Sequence, residues 1–149
     1  MTVIVVTGTP GCGKTKVAKE IARKRKLKYI DVRGLIKKNK LYDSYDKRLK
    51  TYVVDVKKLK KFLVKMIKES REGLVIDSHL GHYLDRKYVD LCVVVKCDLK
   101  ILKKRLEKRG YNKLKVRENL DSEILDICLV EATEKGHNIN VVDTTNGFK

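Results

Sequence analysis

The sequence predicts an α/β protein with a parallel, doubly wound sheet of the P-loop type. Short apolar runs rich in β-branched residues alternate with amphipathic stretches along the 149 residues. The first apolar run, TVIVVT, is followed at once by GTPGCGKT, Gly8 to Thr15, which fits the phosphate-loop pattern G-x-x-x-x-G-K-[ST]. A strand, a glycine-rich turn and a helix in this order indicate a nucleotide-binding domain.

The N-terminal half begins with a strand near residues 2–7 and a helix from Lys14 to about Arg25. We expect a short strand from Lys28 to Val32, a small helix over GLIKKN and a loose segment, YDSYDKRLKTY. The stretch VVDVKKLKKFLVKMIKES then has apolar residues at helical spacing and lysines on the opposite face. This pattern predicts an amphipathic helix whose basic side faces solvent or a partner. Its apolar positions are Val56, Leu59, Leu63, Met66 and Ile67.

In the C-terminal half, GLVIDS and VDLCVVVKC lack polar alternation, as expected of parallel strands that are covered on both faces. Helices are predicted over DLKILKKRLEKR and from about Lys115 to Lys135, and NINVVD has the character of a last strand. There is no internal repeat and no Pro/Gly/Ser-rich linker. The whole chain, residues 1–149, is therefore predicted to form one domain.

Composition limits the class of protein. The hydrophobic fraction of 42% is ordinary for a folded domain, and no apolar run approaches the roughly 20 residues that span a bilayer. The N-terminus has no features of a secretory signal, so we expect a soluble, cytoplasmic protein without a membrane partner. The four cysteines show no C-x-x-C spacing, which favours buried, reduced thiols over a disulfide or a metal site.

The charge is strongly basic, with 36 Lys and Arg against 19 Asp and Glu, a net charge of +17. Such an excess favours polyanionic partners, either nucleotides or a larger nucleic acid assembly. The alternative is a solvated basic surface that serves solubility or a hot, salty cytoplasm.

The phosphate loop carries the first chemical prediction. Its glycines, Gly11 and Gly13 among them, let successive backbone N–H groups point at a phosphate, and the following helix adds its positive N-terminal end. Lys14 is predicted to reach the β- and γ-phosphates, and the Thr15 hydroxyl to bind Mg²⁺. Asp77, at the end of the run LVI, is the best candidate for the acid that holds Mg²⁺ or its water. A plain helix or loop cap is the alternative for Asp77.

Further candidates lie downstream. His79, two residues beyond Asp77, would position an attacking water or touch the γ-phosphate, or else be an ordinary loop histidine. Arg105 and Arg109 are four residues apart on one helix face and, with Arg117, form a candidate guanidinium clamp for a transferring phosphoryl group. A solvated basic helix end is the alternative. Transfer to another phosphate needs little beyond positioning and electrostatics, since the acceptor is already anionic.

These segments resemble a known family. GTPGCGKT, LYDSYD, VIDSH, RLEKRGY and ENLDSE, in this order, are similar to the archaeal and eukaryotic nuclear adenylate kinases, also described as coilin-interacting nuclear ATPases. The resemblance implies a nucleoside monophosphate (NMP) kinase fold with strand order 2-3-1-4-5, an NMP-binding segment at about residues 30–53 and a short lid at about 108–118. It also implies ATP with Mg²⁺ as donor, AMP as acceptor, ATPase activity, and a role in small ribosomal subunit maturation through a platform ribosomal protein and pre-rRNA.

The resemblance also implies roles for single residues. Gly11, Gly13, Lys14, Thr15 and Lys16 match the ATP-phosphate loop and its helix start, and Arg109 matches the lid arginine that contacts ATP. Asp77 and His79 match the family's Walker B acid and its associated histidine. The acceptor side is expected to include Tyr42, Asp43 and Lys37, the last in place of the arginine that commonly holds the AMP phosphate. Relatives continue into a final helix beyond the segment matching DTTNGFK, and a monomer is the default for a kinase that opens and closes.

Two function classes stay open at this point: an adenylate kinase, and an ATPase assembly factor that binds a ribosomal protein or pre-rRNA. Another small-molecule P-loop kinase, for shikimate or cytidylate, is a further alternative. A GTPase switch is excluded because the guanine motif N-K-x-D is missing. Tyr42 and Lys115 occupy the place of its acid after the two N-K pairs.

Overall fold

A computed structural model describes residues 1–147 of the chain. The strands are β1 (Val3–Gly8), β2 (Lys28–Asp31), β3 (Tyr42–Asp46), β4 (Thr51–Val54), β5 (Leu74–Asp77), β6 (Leu91–Lys96) and β7 (Ile139–Asp143). The helices are α1 (Lys14–Arg25), α2 (Val32–Lys38), α3 (Val56–Glu69), α4 (Leu99–Lys108), α5 (Lys113–Ile124) and α6 (Ile127–Glu134). Among these residues, no helix is both long and apolar enough to cross a membrane.

Five strands form one parallel sheet in the order β2-β5-β1-β6-β7. Counted along the chain without the hairpin strands, this is the order 2-3-1-4-5, so the predicted fold is confirmed. The central strand β1 lies between β5 and β6, and Ile4 pairs with Val75 on one side and Leu91 on the other. The carboxyl ends of the strands share one edge, where ligands bind in open α/β sheets.

The sheet is covered on both faces because its strands alternate their side chains. Val3 and Val5 of β1 belong to one apolar cluster with residues of α2, α3 and α6, while Ile4 and Val6 belong to a second with residues of α1, α4 and α5. All four of these side chains are buried. A buried central strand of this kind rigidly positions the loop that follows it.

Side-chain caps fix where several helices begin. Asp31, Asp55, Asp98 and Asn112 each accept a hydrogen bond from a backbone N–H in the first turn of α2, α3, α4 and α5. These bonds satisfy N–H groups that have no partner within the helix. The Asp31 cap starts α2 at Val32, immediately after β2 and two residues before the helix predicted from GLIKKN.

Two predicted elements are wrong. The segment expected to be loose is an antiparallel hairpin, β3–β4, in which Tyr52 lies against Tyr42 and Tyr45 at centroid distances of 4.4 and 5.1 Å. The helix expected from Lys115 to Lys135 is two helices, α5 and α6, because Asp126 has a φ of +51°. That left-handed conformation interrupts the helical hydrogen bonds. All four cysteines are buried, as predicted.

Candidate active site

The phosphate loop, residues 8–15, joins the end of β1 to the start of α1. Gly13 is the N-cap of α1, and Gly11 and Gly13 have φ values of +95° and +93°. The loop turns tightly, since the Cys12 N–H donates to the Thr9 carbonyl at 3.1 Å. The first turn of α1 carries no acidic residue, so the partial positive charge of the helix N-terminus is available to an anion.

Lys14 is the first residue of α1 and is half-buried. The protein atoms around its ammonium group lower the pKa of Lys14 by desolvation, the charge of Arg109 acts in the same direction, and the Asp77 carboxylate opposes both. A cation held next to another cation gains stability when an anion enters between them. The position of Lys14 therefore fits a phosphate-binding role.

Thr15 and Asp77 meet at the end of β5. The Thr15 hydroxyl donates to Asp77 Oδ2 at 2.9 Å, and the Tyr29 hydroxyl donates to the same oxygen at 2.6 Å. Burial first, and then the contact with Asp77, raise the pKa of Tyr29, which keeps the phenol protonated and donating. Hydroxyl and carboxylate oxygens are the hard ligands that Mg²⁺ prefers, so Thr15 and Asp77 fit the predicted magnesium site.

His79 follows β5 and is an exposed residue. The protein atoms close to its ring nevertheless desolvate it, and with the charges of Lys14, His82 and Arg33 they lower the pKa of His79 to about 4. The imidazole is therefore neutral near pH 7. Because β5 and β1 are neighbours in the parallel sheet, His79 follows its strand at the same edge as the phosphate loop.

The turn between α4 and α5, residues 109–112, lies beside the phosphate loop, since Tyr111 packs against the apolar cluster that contains Cys12. Burial opposes the shift, but the Arg109 guanidinium and the charges of Lys115 and Arg33 together lower the pKa of Tyr111. The Lys115 ammonium lies 4.2 Å from the centre of the Tyr111 ring. Lys115 of α5 therefore lies against the Tyr111 ring, and Arg109 and Arg33 add positive charge that acts on the same phenol.

Two hydrogen bonds join this turn and the first turn of α5 to the β3–β4 hairpin. Asn112 Nδ2 donates to the Arg48 carbonyl at 2.8 Å, and Lys115 Nζ donates to the Lys50 carbonyl at 3.1 Å. Arg48 and Lys50 lie in the turn between β3 and β4. The segments predicted as the lid and the NMP-binding segment are therefore in direct contact.

Arg105 lies within α4, and its guanidinium faces the segment after β7. Its Nη1 donates to Thr144 Oγ1 at 3.2 Å, and its Nη2 donates to the Thr144 carbonyl at 2.8 Å. The Thr144 hydroxyl in turn donates to the Cys12 carbonyl in the phosphate loop. Arg105 therefore stabilises the phosphate loop indirectly, through Thr144. Arg109, at the end of α4, is exposed. A common anion contact of the two arginines stays a prediction.

The remaining predicted site residues lie at the surface. Lys16 in the first turn of α1 is exposed, as is Lys37, which is four residues beyond Arg33 and so on the same face of α2. Arg117 of α5 keeps 80% of its side chain exposed and lies 3.7 Å from Asp121. Of the predicted acceptor residues in β3, Asp43 is exposed and Tyr42 is half-buried.

Sequence reasoning missed two residues of this region. Arg33 received no role, although its position directly after a parallel strand is a usable signal for a ligand-binding residue. Glu123 is buried in α5, where it accepts hydrogen bonds from the Thr9 hydroxyl and the Cys97 N–H, both at 3.0 Å. The segment ENLDSE contributes to the family resemblance, but the role of Glu123 could not be predicted locally, because its partners are 114 and 26 residues away.

Comparison with known proteins places this site among P-loop proteins. A family model described as an AAA domain matches residues 4–126. The chain is 43% identical over 143 residues to a Methanocaldococcus jannaschii protein named for adenylate kinase, covering 96% of this chain and 77% of that protein. It is 39% identical over 130 residues to the adenylate kinase isoenzyme 6 homolog of Dictyostelium discoideum, covering 87% and 73%.

Solved structures of lower identity share the fold. The deoxyadenosine kinase of M. mycoides has a TM-score of 0.60 at 16% identity, with 95% of this chain and 90% of that chain covered. The shikimate kinase of Bacteroides thetaiotaomicron has a TM-score of 0.58 at 16% identity, with 95% and 86% covered. At such identities the likeness concerns the fold alone.

Proposed function

Because this chain belongs to the P-loop family of AAA domains that includes adenylate kinase isoenzyme 6 homologs, we propose that it is an adenylate kinase. It transfers the γ-phosphoryl group of ATP to AMP and gives two molecules of ADP. The observation that carries this proposal is the direct contact of Asn112 and Lys115 with the β3–β4 hairpin, because it brings a second segment over the phosphate-loop side of the sheet. An ATPase needs the phosphate loop and a water, whereas a kinase also needs a wall that holds an acceptor.

The donor side is formed by the phosphate loop. Backbone N–H groups at the start of α1 face the β- and γ-phosphates, and the Lys14 ammonium neutralises the charge that develops between them. Thr15 and Asp77 would hold Mg²⁺, which supplies further charge neutralisation on the phosphates when bound. Arg109, close enough to influence Lys14, is placed to contact the phosphoryl group from the side of the lid.

The acceptor side is formed by α2 and the hairpin. We assign the acceptor phosphate to Arg33, because its planar guanidinium can make two parallel hydrogen bonds to phosphate oxygens. It follows β2 at the carboxyl edge of the sheet, the edge that also carries the phosphate loop, and its charge contributes to lowering the pKa of His79 and Tyr111. Lys37, one turn further along the same face, adds a second positive charge.

Contact between the lid and the NMP-binding segment excludes water from the reaction. The hydrogen bonds from Asn112 and Lys115 to the hairpin turn join the acceptor side to the lid side. A neutral His79 adds no charge to the site, so the lysine and arginine side chains alone attract the phosphates. Phosphoryl transfer between two phosphates needs no strong base, so positioning by these groups suffices.

A pair of arginine variants tests the acceptor assignment. Arg33→Ala is expected to raise the KM for AMP at least tenfold, with an unchanged KM for ATP, because it removes only the acceptor contact. Arg25→Ala is the matched control: it removes an exposed arginine at the far end of α1 and should leave both KM values unchanged. If Arg33→Ala leaves the KM for AMP as it is, or raises both values equally, the assignment is wrong.

A second candidate is an ATPase that assembles with a ribosomal protein or pre-rRNA. The observation that favours it is the net charge of +17, to which exposed lysines of α3 contribute. In this alternative, water replaces AMP and His79 orients it. Release of inorganic phosphate at equal rates with and without AMP would favour this function. The cytoplasmic location and the monomeric state stay predictions under either function.

A further inference from the structure

We propose that Cys12, Cys97 and Glu123 form a binding site for a thiophilic divalent cation of the zinc class, directly behind the phosphate loop. Their potential ligand atoms all lie within 4.8 Å of one another. The three residues are 0%, 7% and 7% exposed, so the cluster is built into the core. This site is distinct from Thr15 and Asp77, and the inference does not depend on the proposed kinase activity.

The distances approach those of a tetrahedral site. With metal–sulfur bonds of about 2.3 Å and metal–oxygen bonds of about 2.0 Å, tetrahedral geometry separates sulfur from oxygen by about 3.5 Å and the two sulfurs by about 3.8 Å. Cys12 Sγ lies 3.6 Å from Glu123 Oε2, which already fits. The two sulfurs are 2.8 Å apart. To admit the ion, side-chain rotation must increase this distance by about 1 Å.

Glu123 is held in a ligand-like orientation. Its Oε1 accepts from the Thr9 hydroxyl at 3.0 Å and lies 3.4 Å from the Lys96 ammonium. Its Oε2 accepts from the Cys97 N–H at 3.0 Å and faces the Cys12 thiol. Metal-binding carboxylates are commonly fixed by such outer hydrogen bonds. Oε2 is therefore the oxygen that is available to an ion between the two thiols.

The charge around the cluster allows a divalent cation. Glu123 and Asp126 each contribute a negative charge, and Lys96, which contacts both, contributes a positive one. Binding replaces two thiol protons by one divalent cation, so the net charge of the cluster is the same before and after binding. Lys96 is the one neighbouring cation among these contacts, and its pairing with Asp126 reduces its repulsion of the ion.

An open cavity borders the cluster at Cys97. It has a volume of about 660 Å³ and lies where β6 and β7 end. Because Cys97 lines it, water in the cavity can supply the fourth ligand that the three protein residues leave open. The lining residues are Lys96, Cys97, Asp98, Asp143, Thr145 and Asn146.

Metal binding here would link the phosphate loop to two other parts of the fold. Cys12 lies between Gly11 and Gly13, whereas Cys97 follows β6 and Glu123 belongs to α5. The ion would fix the loop against β6 and α5. We therefore expect it to raise the thermal unfolding midpoint of the protein in the absence of nucleotide.

Titration of the reduced protein with Co²⁺ under anaerobic conditions tests the site. We expect one Co²⁺ per chain, a thiolate-to-metal charge-transfer band in the near ultraviolet, and displacement of the bound Co²⁺ by Zn²⁺. Cys12→Ser and Cys97→Ser should each weaken Co²⁺ binding by roughly tenfold or more and remove most of the charge-transfer band. Cys92→Ala removes a buried thiol of β6 that lies outside the cluster, and this variant should bind Co²⁺ like the parent protein.

Circular dichroism of each variant shows that a lost band does not come from unfolding. Co²⁺ bound without a charge-transfer band would place the ion on oxygen ligands such as Thr15 and Asp77, and would overturn the proposal. The same conclusion follows if the reduced protein binds no Co²⁺, or if both cysteine variants bind it like the parent. A chain that instead forms a Cys12–Cys97 disulfide in air and binds no Co²⁺ after reduction would identify a redox pair, not a metal site.

Discussion

Gly11→Ala and Gly13→Ala in the phosphate loop are expected to lower the free energy of unfolding by different amounts, because the atoms around the two positions differ. Gly11 and Gly13 have nearly the same φ, +95° and +93°, which an L-residue adopts at a cost of about 1–2 kcal/mol. A Cβ at Gly13 would meet the Thr144 side chain at 3.6 Å, an ordinary contact. Gly13→Ala should therefore lower the free energy of unfolding by about 1–2 kcal/mol, from the backbone alone.

A Cβ at Gly11 would also overlap the core. It would lie 2.8 Å from Leu106 Cδ2 and 2.9 Å from Leu102 Cδ1, and both leucines are completely buried. Overpacking of this kind costs about 1–3 kcal/mol beyond the backbone term, so Gly11→Ala should lose about 2–5 kcal/mol in total. In a domain of this size, each kcal/mol corresponds to roughly 2–4 °C in the unfolding midpoint.

Urea denaturation of the nucleotide-free protein measures both costs, and a double-mutant cycle separates their causes. Leu106→Ala removes the nearest overlapping atom. Gly11→Ala should therefore cost less in that background than in the parent, while the cost of Gly13→Ala should stay the same. Equal costs for the two glycine variants, or a Gly11→Ala cost that Leu106→Ala does not change, would refute the reasoning.

Three further predictions follow from the site and its surroundings. Burial lowers the pKa of His82 below its ordinary 6.5, against the opposing effect of Glu131. The unfolded chain therefore binds more protons, and stability is full above pH 6.5 and falls as the pH drops through the folded pKa. His82→Gln should flatten the change in urea midpoint between pH 7 and pH 5, and an unchanged slope would contradict this. Arg109→Ala should lower kcat on the order of a thousandfold. Arg105→Ala, which removes the hydrogen bonds to Thr144, should mainly lower the free energy of unfolding, by about 1–2 kcal/mol. Equal kcat values for the two variants would contradict this distinction. Thr15→Val should raise the Mg²⁺ concentration for half-maximal activity at least tenfold. Thr15→Ser keeps the hydroxyl and should leave that concentration unchanged. The same Mg²⁺ concentration for both variants would exclude Thr15 as a ligand.

The sequence predicted the sheet because its signals are local. Each central strand is an uninterrupted apolar run, and the phosphate loop marks both the end of β1 and the start of α1. Asp77 could be assigned for the same reason, since it ends such a run, and its contact with Thr15 at 2.9 Å agrees with the predicted magnesium pair. Strand order came from the family resemblance, because periodicity alone does not order parallel strands.

The missed elements depend on weak or distant interactions. The β3–β4 hairpin has no Asn-Gly or Asp-Gly turn, and its Lys50 takes a φ of +50°, which no local rule predicts for lysine. The break between α5 and α6 likewise rests on one aspartate in the left-handed region. The cluster of Cys12, Cys97 and Glu123 joins residues 26 to 111 positions apart, so only the folded chain reveals it.

The central proposal is that the protein transfers phosphoryl groups from ATP to AMP, and one assay tests it most directly. Purified protein is given Mg-ATP with and without AMP, and ADP and inorganic phosphate are measured separately, with Lys14→Ala as the control. We predict two ADP formed for each AMP consumed, little release of phosphate, and loss of the reaction in Lys14→Ala. Release of phosphate at the same rate with and without AMP, with no ADP beyond that from hydrolysis, would contradict the proposal and identify an ATPase.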